Sequence, residues 1–209
     1  MLALDTATAA SSVAACDGGT VLAQRCEWMA KGQAERIVPM LAEVTAEAGW
    51  SFAEIELIAT TLGPGSFTGI RAGLAVARAL ALATGIPTVG VSTLEAMAAV
   101  VDDGTGVVCV IAGRQGSIFA QRFPDGEAQV LRQDDVAALL RVGDRLLADD
   151  TTALAGAEPV RIDGVAVARA ALRQVACGRQ PGAGTSLRPL YLRDSGARSE
   201  AGRPLVRAA

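Results

Sequence analysis

The segment that most constrains the fold of this chain is the glycine-rich run over residues 63–73. It joins a buried apolar stretch to the clearest helical pattern in the sequence, and its first seven residues hold three glycines and a proline. Glycine and proline at this density predict a tight turn with exposed backbone. Ser66 or Thr68 can cap the helix that follows. The sequence therefore predicts a strand, a sharp turn and a helix in direct succession.

The predicted turn has two interpretations. Free N–H groups at a helix start favour an anion, so the turn could bind a phosphate or a carboxylate. It matches neither the Walker A pattern, because no Gly-Lys-Ser/Thr follows, nor the dinucleotide fingerprint, because Gly69 comes one position late. A structural turn or a protein contact is the other interpretation. The candidate anion-binding residues are Asp5 (at the end of the predicted first strand), Gly63, Gly65, Ser66, Thr68 and Gly69.

The predicted helix over residues 68–84 carries small side chains at a spacing of three and four residues. Such a face lets another backbone approach closely, either from the chain's own sheet or from a second subunit. The predicted helix over residues 33–48 can contribute to the same surface. The candidate partner-binding residues are Arg36, Pro39, Met40, Val44, Gly69, Ala72, Gly73, Val76 and Leu80.

The remaining pattern predicts an α/β protein of two lobes, residues 1–103 and 104–209, joined by a linker over residues 102–106. Each half opens with three strands in hairpin style and then alternates helix and strand, which favours two mixed sheets flanked by helices. Pro39 fits the first helix only if regular helix starts close to Glu35. The predicted strands are 2–6, 11–15, 21–28, 57–62, 87–91, 107–111, 117–123, 128–131 and 152–154, and the other predicted helices are 93–101, 134–141 and 165–177.

Composition excludes several functions. Histidine is absent from the 209 residues, which removes a Ser-His-Asp or Cys-His nucleophile, an imidazole base and a His-bearing metal site. The net charge of −3 disfavours tight binding of a nucleic acid by this chain alone. The four cysteines form no C-x-x-C motif, so we expect reduced thiols and no bound metal or cofactor.

Location is also predicted from the sequence. Asp5 interrupts the apolar start before a signal sequence can form. The longest apolar stretch, residues 72–84, contains Arg78 and is shorter than a membrane-spanning helix needs. We therefore expect a soluble, cytoplasmic protein.

Five short motifs stand out, at residues 4–8, 35–39, 63–71, 87–94 and 188–193. Together they resemble the bacterial TsaB (YeaZ-like, glycoprotease-like) family of tRNA threonylcarbamoyladenosine biosynthesis proteins. The Gly-Pro-Gly-Ser-Phe-Thr-Gly-Ile-Arg run over residues 63–71 is the most specific part of the resemblance, which is close over residues 1–101 and looser beyond.

The resemblance implies a two-lobed actin-like, ribonuclease-H-like fold. It further implies a non-catalytic subunit that binds and orders the paralogue TsaD, which modifies N6 of adenosine 37 in tRNAs that read ANN codons. The ATPase TsaE would join the pair, and tRNA would be met only within the complex. The same helices could also form a homodimer.

An ATP-binding, actin-like phosphotransferase is the alternative function, and it depends on Asp5 and the turn over residues 63–69. Thr6-Ala7-Thr8-Ala9 follows Asp5 without the glycines of a kinase phosphate loop. The sequence also departs from the family where Ala112 and Gly113 replace the usual Asp-Ala, and where Lys31-Gly32-Gln33-Ala34 precedes Glu35 in place of a segment with histidine. The missing carboxylate at Ala112 weakens a catalytic role.

Overall fold

The computed structural model describes residues 1–29, 32–101 and 105–192. It contains two five-stranded mixed sheets flanked by helices, so the predicted α/β class with two lobes is confirmed. Lys31, most of the predicted linker, the predicted lobe boundary at residues 103 and 104, and Arg193 of the last motif lie outside the described residues.

The first sheet is built around strand β1. In the order β3-β2-β1-β4-β5, β1 runs antiparallel to β2 and parallel to β4. Every residue of β1 is buried, because helices cover both faces of the sheet. The strands are β1 (Leu2–Asp5), β2 (Ala10–Asp17), β3 (Thr20–Trp28), β4 (Ile58–Thr61) and β5 (Thr88–Val91).

The second sheet repeats this topology around strand β6. In the order β10-β9-β6-β7-β8, β6 runs antiparallel to the next strand, β7, and parallel to β9. The two lobes therefore share one strand order, as the actin-like fold requires. The strands are β6 (Val107–Ala112), β7 (Ser117–Phe123), β8 (Gln129–Arg132), β9 (Arg145–Asp149) and β10 (Glu158–Val160).

The helices form two layers. One core cluster joins α1 (Gln33–Glu47) and α2 (Phe67–Thr84) to the outer face of the first sheet. A second cluster joins α3 (Thr93–Ala98) and α4 (Gly164–Ala176) to both sheets, so this pair lies between them. Small residues make this close packing possible: a Cβ on Gly164 would lie 2.6 Å from the backbone nitrogen of Ala14.

Some predicted elements need correction. Helix α1 begins at Gln33, so Pro39 lies inside the helix rather than in its first turn. The unpaired carbonyl of Glu35 is tolerated because both residues are exposed to water. The predicted helix over 134–141 is a 3-10 helix, Gln133–Leu139. The predicted strand over 152–154 is absent, and the strands in this region are β9 and β10.

Helix α2 also corrects the estimate of the longest apolar stretch. It has 18 residues and a mean hydropathy of 1.2, so by length and composition alone it could cross a membrane. In this fold its buried side, which includes Ile70, Leu74 and Ala77, packs on the first sheet. A core helix of this kind passes the same test of length and composition.

Candidate functional site

The carboxylate of Asp5 organises the end of β1. Asp5 Oδ1 accepts hydrogen bonds from Thr61 Oγ1 at 2.6 Å and from the backbone N–H of Ala7 at 3.0 Å, while Oδ2 accepts from Thr8 Oγ1 at 2.7 Å. The side chain is fully buried. Burial raises the pKa of Asp5, and these hydrogen bonds oppose the rise. The carboxylate therefore caps the turn after β1 and joins it to the end of β4.

Three glycines of the 63–73 run, Gly65, Gly69 and Gly73, face this turn at very short range. A Cβ on Gly65 would lie 2.3 Å from the carbonyl oxygen of Ala7, and one on Gly69 would lie 1.8 Å from that of Thr6. A Cβ on Gly73 would lie 2.4 Å from Thr6 Oγ1. The small residues are therefore required by the close approach of α2 to the chain's own first strand.

Hydrogen bonds hold the same contact. The backbone N–H of Ser66 donates to the carbonyl of Ala7 at 2.7 Å, and Thr6 Oγ1 donates to the carbonyl of Gly69 at 2.7 Å. Ser66 Oγ accepts from the backbone N–H of Gly69 at 3.2 Å and caps α2. The candidate anion loop thus has a complete structural role, whether or not it also binds an anion.

Four of the predicted partner-binding residues do not lie on an open surface, which corrects that prediction. Gly69 and Gly73 face Thr6, directly after β1, and Met40 and Val44 are buried in the core beneath α1. The helical spacing identified a packed face correctly in each case. It could not show that the packing partner is the chain's own first sheet.

The other five residues of that set are exposed or partly exposed. Pro39 lies on the outer side of α1, and Ala72, Val76 and Leu80 form a partly exposed stripe on α2. Arg36 is held by Glu27 and Glu43 at 2.7 Å each, and these hydrogen bonds raise the pKa of its guanidinium and lower those of both carboxylates. The two helices contact each other, so their outer sides form a continuous surface.

Two cavities lie where the glycine turn meets the second sheet. The larger, of about 560 Å³, and the smaller, of about 300 Å³, share Pro64, Gly65, Ser66 and Ala112 in their walls. Asp149 lines the smaller cavity together with Thr8 and Thr93. Among the described side chains that line these cavities there is no lysine or arginine, so the walls offer no charged partner for a phosphate.

The second sheet has its own carboxylate near this cleft, which sequence reasoning did not identify. Asp149 at the end of β9 accepts hydrogen bonds from the hydroxyls of Thr151 and Thr152, and Thr152 Oγ1 accepts one from the backbone N–H of Ala112 at 2.6 Å. No group of three or more potential metal ligands occurs within residues 1–29, 32–101 and 105–192.

Sequence reasoning also missed the position of the C-terminal segment. The backbone of Gly182 pairs with Thr88 at the edge of β5, and the N–H of Leu190 donates to the carbonyl of Leu62 at 2.8 Å. This path brings Tyr191 beside Phe67, with ring centroids 6.0 Å apart. The motif at residues 188–193 drew attention to this segment. Its pairing with distant residues could not be predicted, because such pairing leaves no local pattern in the sequence.

Together the repeated sheets, the pinned glycine turn and the cleft between the lobes define a two-lobed protein of actin-like topology. A family model described as TsaD, tRNA N6-adenosine threonylcarbamoyltransferase, matches residues 25–142, which is more than half of the chain. The chain belongs to this family.

Relatives within the family are more specific. The tRNA threonylcarbamoyladenosine biosynthesis protein TsaB of Escherichia coli K12 is 36% identical over 144 residues, which are 68% of this chain and 62% of that protein. The protein of the same name from Haemophilus influenzae is 35% identical over 127 residues, 57% of this chain and 51% of that protein. The matches thus span between half and two thirds of these relatives.

A solved structure agrees over nearly the whole chain. YeaZ from Pseudomonas aeruginosa has a TM-score of 0.76 and 25% identity, and the match covers 91% of this chain and 98% of that one. A second structure from the same organism, an uncharacterized protein with similarity to peptidase YEAZ, has a TM-score of 0.78 at 25% identity, covering 92% and 98%. The resemblance inferred from the motifs is confirmed, and the chain is a TsaB-like protein.

Proposed function

We propose that this chain acts in the synthesis of N6-threonylcarbamoyladenosine at position 37 of tRNAs that read ANN codons, as a non-catalytic subunit that binds and orders a TsaD paralogue. The names of its relatives support the pathway. The role as a subunit rests on the surface chemistry of α1 and α2.

The surface that supports docking is the outer side of α1 and α2. Ala72, Val76 and Leu80 form a partly exposed stripe on α2, and Val38 and Pro39 are exposed on α1. Exposed apolar residues on two adjacent helices are typical of a protein contact. This paired helical surface is the single observation that carries the proposal.

The chemistry of the cleft supports a non-catalytic role. The whole sequence has no histidine. Asp5 is tied to Thr61 and Thr8, and Asp149 is tied to threonine hydroxyls of its own loop. Both carboxylates therefore already serve the fold by joining strand ends and closing turns, which leaves the reaction to the partner.

The remaining parts of the proposal follow from this role. TsaE would join the pair as the ATPase, and tRNA would be held by the complex, since the net charge of −3 gives this chain little attraction for a phosphate backbone. A homodimer would use the same two helices and would compete with TsaD. We place the complex in the cytoplasm.

Introducing a charge at an apolar position of α2 tests the interface. Gly73 is unsuitable for this test because its substitution would disturb β1, whereas Val76 is partly exposed. We expect Val76→Glu to abolish co-purification with TsaD, because a carboxylate in the contact would lose its hydration. The melting temperature of the variant should stay within a few degrees of that of the unmodified chain, since the position is partly exposed. Val142→Glu, the same change at a fully exposed position of the second lobe, is the matched control.

Reconstitution tests the function itself. Modified adenosine is measured by mass spectrometry after incubating tRNA with TsaD and TsaE, with and without this chain. We expect full modification only when the chain is present, and the Val76→Glu variant should behave like its omission. Equal modification with and without the chain would refute the proposed function, and normal binding by Val76→Glu would refute only the assigned surface.

A further inference from the structure

The larger cavity of the cleft has an unusual composition for this chain. Its volume is about 560 Å³, within the range of small-molecule sites. It opens between the glycine turn, the end of β6 and the C-terminal segment. Its walls are Pro64, Gly65, Ser66, Phe67, Thr68, Ile70, Ala112, Gly113, Phe119, Leu190, Tyr191 and Leu192.

Aromatic residues are concentrated at this cavity. The sequence has only seven aromatic residues, and Phe67, Phe119 and Tyr191, the only tyrosine, line this one space. Phe67 is 46% exposed and Tyr191 is 51% exposed, in a chain whose core is packed mainly with alanine and branched aliphatic side chains. Large rings that are about half exposed at the mouth of a cavity can stack on a ligand.

The two exposed rings are held in place. Their centroids are 6.0 Å apart with an angle of 31° between planes. The guanidinium of Arg71 lies 3.7 Å over the ring of Phe67, and its Nε donates to Tyr191 Oη at 3.4 Å. The C-terminal segment is fixed just before Tyr191 by the hydrogen bond from Leu190 to Leu62. The rings therefore form a stacking platform, defined here as Phe67, Tyr191 and the supporting Arg71.

The rest of the wall determines which ring system fits. None of the described side chains that line this cavity is charged. The polar residues of the wall are Ser66 and Thr68, and they lie beside Gly65, Gly113 and apolar side chains. This combination suits a flat, uncharged ring with hydrogen-bonding groups along its edge.

We propose that this cavity binds a nucleobase stacked on the platform, with its polar edge directed to the Ser66 and Thr68 hydroxyls and the glycine backbone. The base belongs either to a free nucleoside or to an unstacked nucleotide of single-stranded RNA. The site concerns the isolated chain and does not depend on binding to TsaD, so the two proposals succeed or fail separately.

Calorimetry on the full chain tests the site with three probes: adenosine, AMP and a hexamer of adenylate. A purine offers the larger stacking face. We expect saturable binding of adenosine or of the hexamer, and the stronger of the two identifies the source of the base. AMP should bind no better than adenosine, because the guanidinium of Arg71, the cation beside the platform, already contacts the Phe67 ring and Tyr191 Oη.

Three alanine variants localise the binding. Phe67→Ala and Tyr191→Ala should each weaken it by about tenfold, the loss expected for removal of one stacking ring. Phe52→Ala removes a phenylalanine of similar exposure, 42%, outside the cavity and should change nothing. Tyr191→Phe keeps the ring and should retain most of the affinity.

A spectroscopic measurement covers the case in which a variant fails to fold. Because Tyr191 is the only tyrosine, ring-labelled tyrosine gives one set of ring signals in the unmodified protein. Stacking should shift these signals on addition of adenosine or the hexamer. The proposal is refuted if neither probe binds at millimolar concentration, if the tyrosine signals stay in place, or if Phe52→Ala weakens binding as much as Phe67→Ala.

Discussion

Both lobes use a carboxylate and a threonine to join the ends of two parallel neighbouring strands, but the carboxylate lies on a different strand in each sheet. In the first sheet the carboxylate ends the central strand, at Asp5, and its threonine partner ends the parallel neighbour, at Thr61. In the second sheet the central strand ends at Ala112, and the carboxylate ends the parallel neighbour, at Asp149. Thr152 then joins Asp149 to the backbone of Ala112.

This exchange shows that the absence of a carboxylate from one motif does not mean that the sheet edge lacks a carboxylate. The absence of a carboxylate at Ala112 weakened the functional interpretation of the second lobe in the sequence. The structure supplies a carboxylate to the same sheet edge from β9, since the ends of parallel strands meet at one edge. Both carboxylates are buried, Asp5 completely and Asp149 with 9% of its surface exposed, and Asp149 lines the smaller cavity of the cleft.

The largest effect is expected where the first lobe is packed most tightly. Gly69→Ala would place a Cβ 1.8 Å from the carbonyl oxygen of Thr6, so backbone has to move. We expect a loss of about 3 kcal/mol of unfolding free energy, at the upper end for overpacked sites. Urea unfolding measures it. Gly19→Ala, with open space around the new methyl group, is the control, and equal stability of the two variants would contradict the packing account.

Removal of each carboxylate compares the lobes directly. Asp5→Ala leaves the N–H of Ala7 and the hydroxyls of Thr8 and Thr61 without their acceptor in the core. We expect a loss of about 3 kcal/mol for Asp5→Ala and about 1 kcal/mol for Asp149→Ala, because Asp149 and its exposed partner Thr151 line the smaller cavity and can be reached by water. Chemical denaturation of both variants measures these losses. A larger loss for Asp149→Ala than for Asp5→Ala would contradict the prediction.

The burial of Asp5 also predicts a pH dependence. Because burial raises the pKa of the folded carboxyl, the folded chain binds this proton more tightly than the unfolded chain does. The stabilisation that this proton contributes is complete at pH values below the ordinary aspartate pKa of about 3.9, and it is lost as the pH rises through the folded-state pKa. Asp5→Asn has no such proton, so the stability of the unmodified protein relative to Asp5→Asn should fall with rising pH. A difference that stays constant with pH would argue against it.

The smallest effect is expected for MgATP. The turn over residues 63–69 is occupied with contacts to Thr6 and Ala7, and the described side chains of the cavity walls include no cation. We expect no measurable heat when MgATP is added to the isolated chain at micromolar concentration. Binding of MgATP in that range, with no binding of adenosine at the same concentration, would restore the phosphotransferase alternative.

Much of the first lobe was predictable because its signals are local. Alternating apolar residues, the hairpin at Asp17 to Gly19 and the capped helix after Ser66 identified most elements near their observed bounds. The second lobe was harder. Its strands β9 and β10 are short and mixed in polarity, and β10 has only three residues with no buried face. Such strands form because neighbours pair with them, which no local pattern reports.

The candidate site divides in the same way. The sequence by itself determined the fold class, the sharp glycine turn and the family, since each depends on residue types at short, fixed spacing. Only the tertiary structure decided that Gly69 and Gly73 face Thr6, directly after β1, rather than a partner, and that Tyr191 lies beside Phe67. The physical reason is that a helical spacing specifies which residues share a face, whereas what covers that face depends on contacts between residues far apart in the chain.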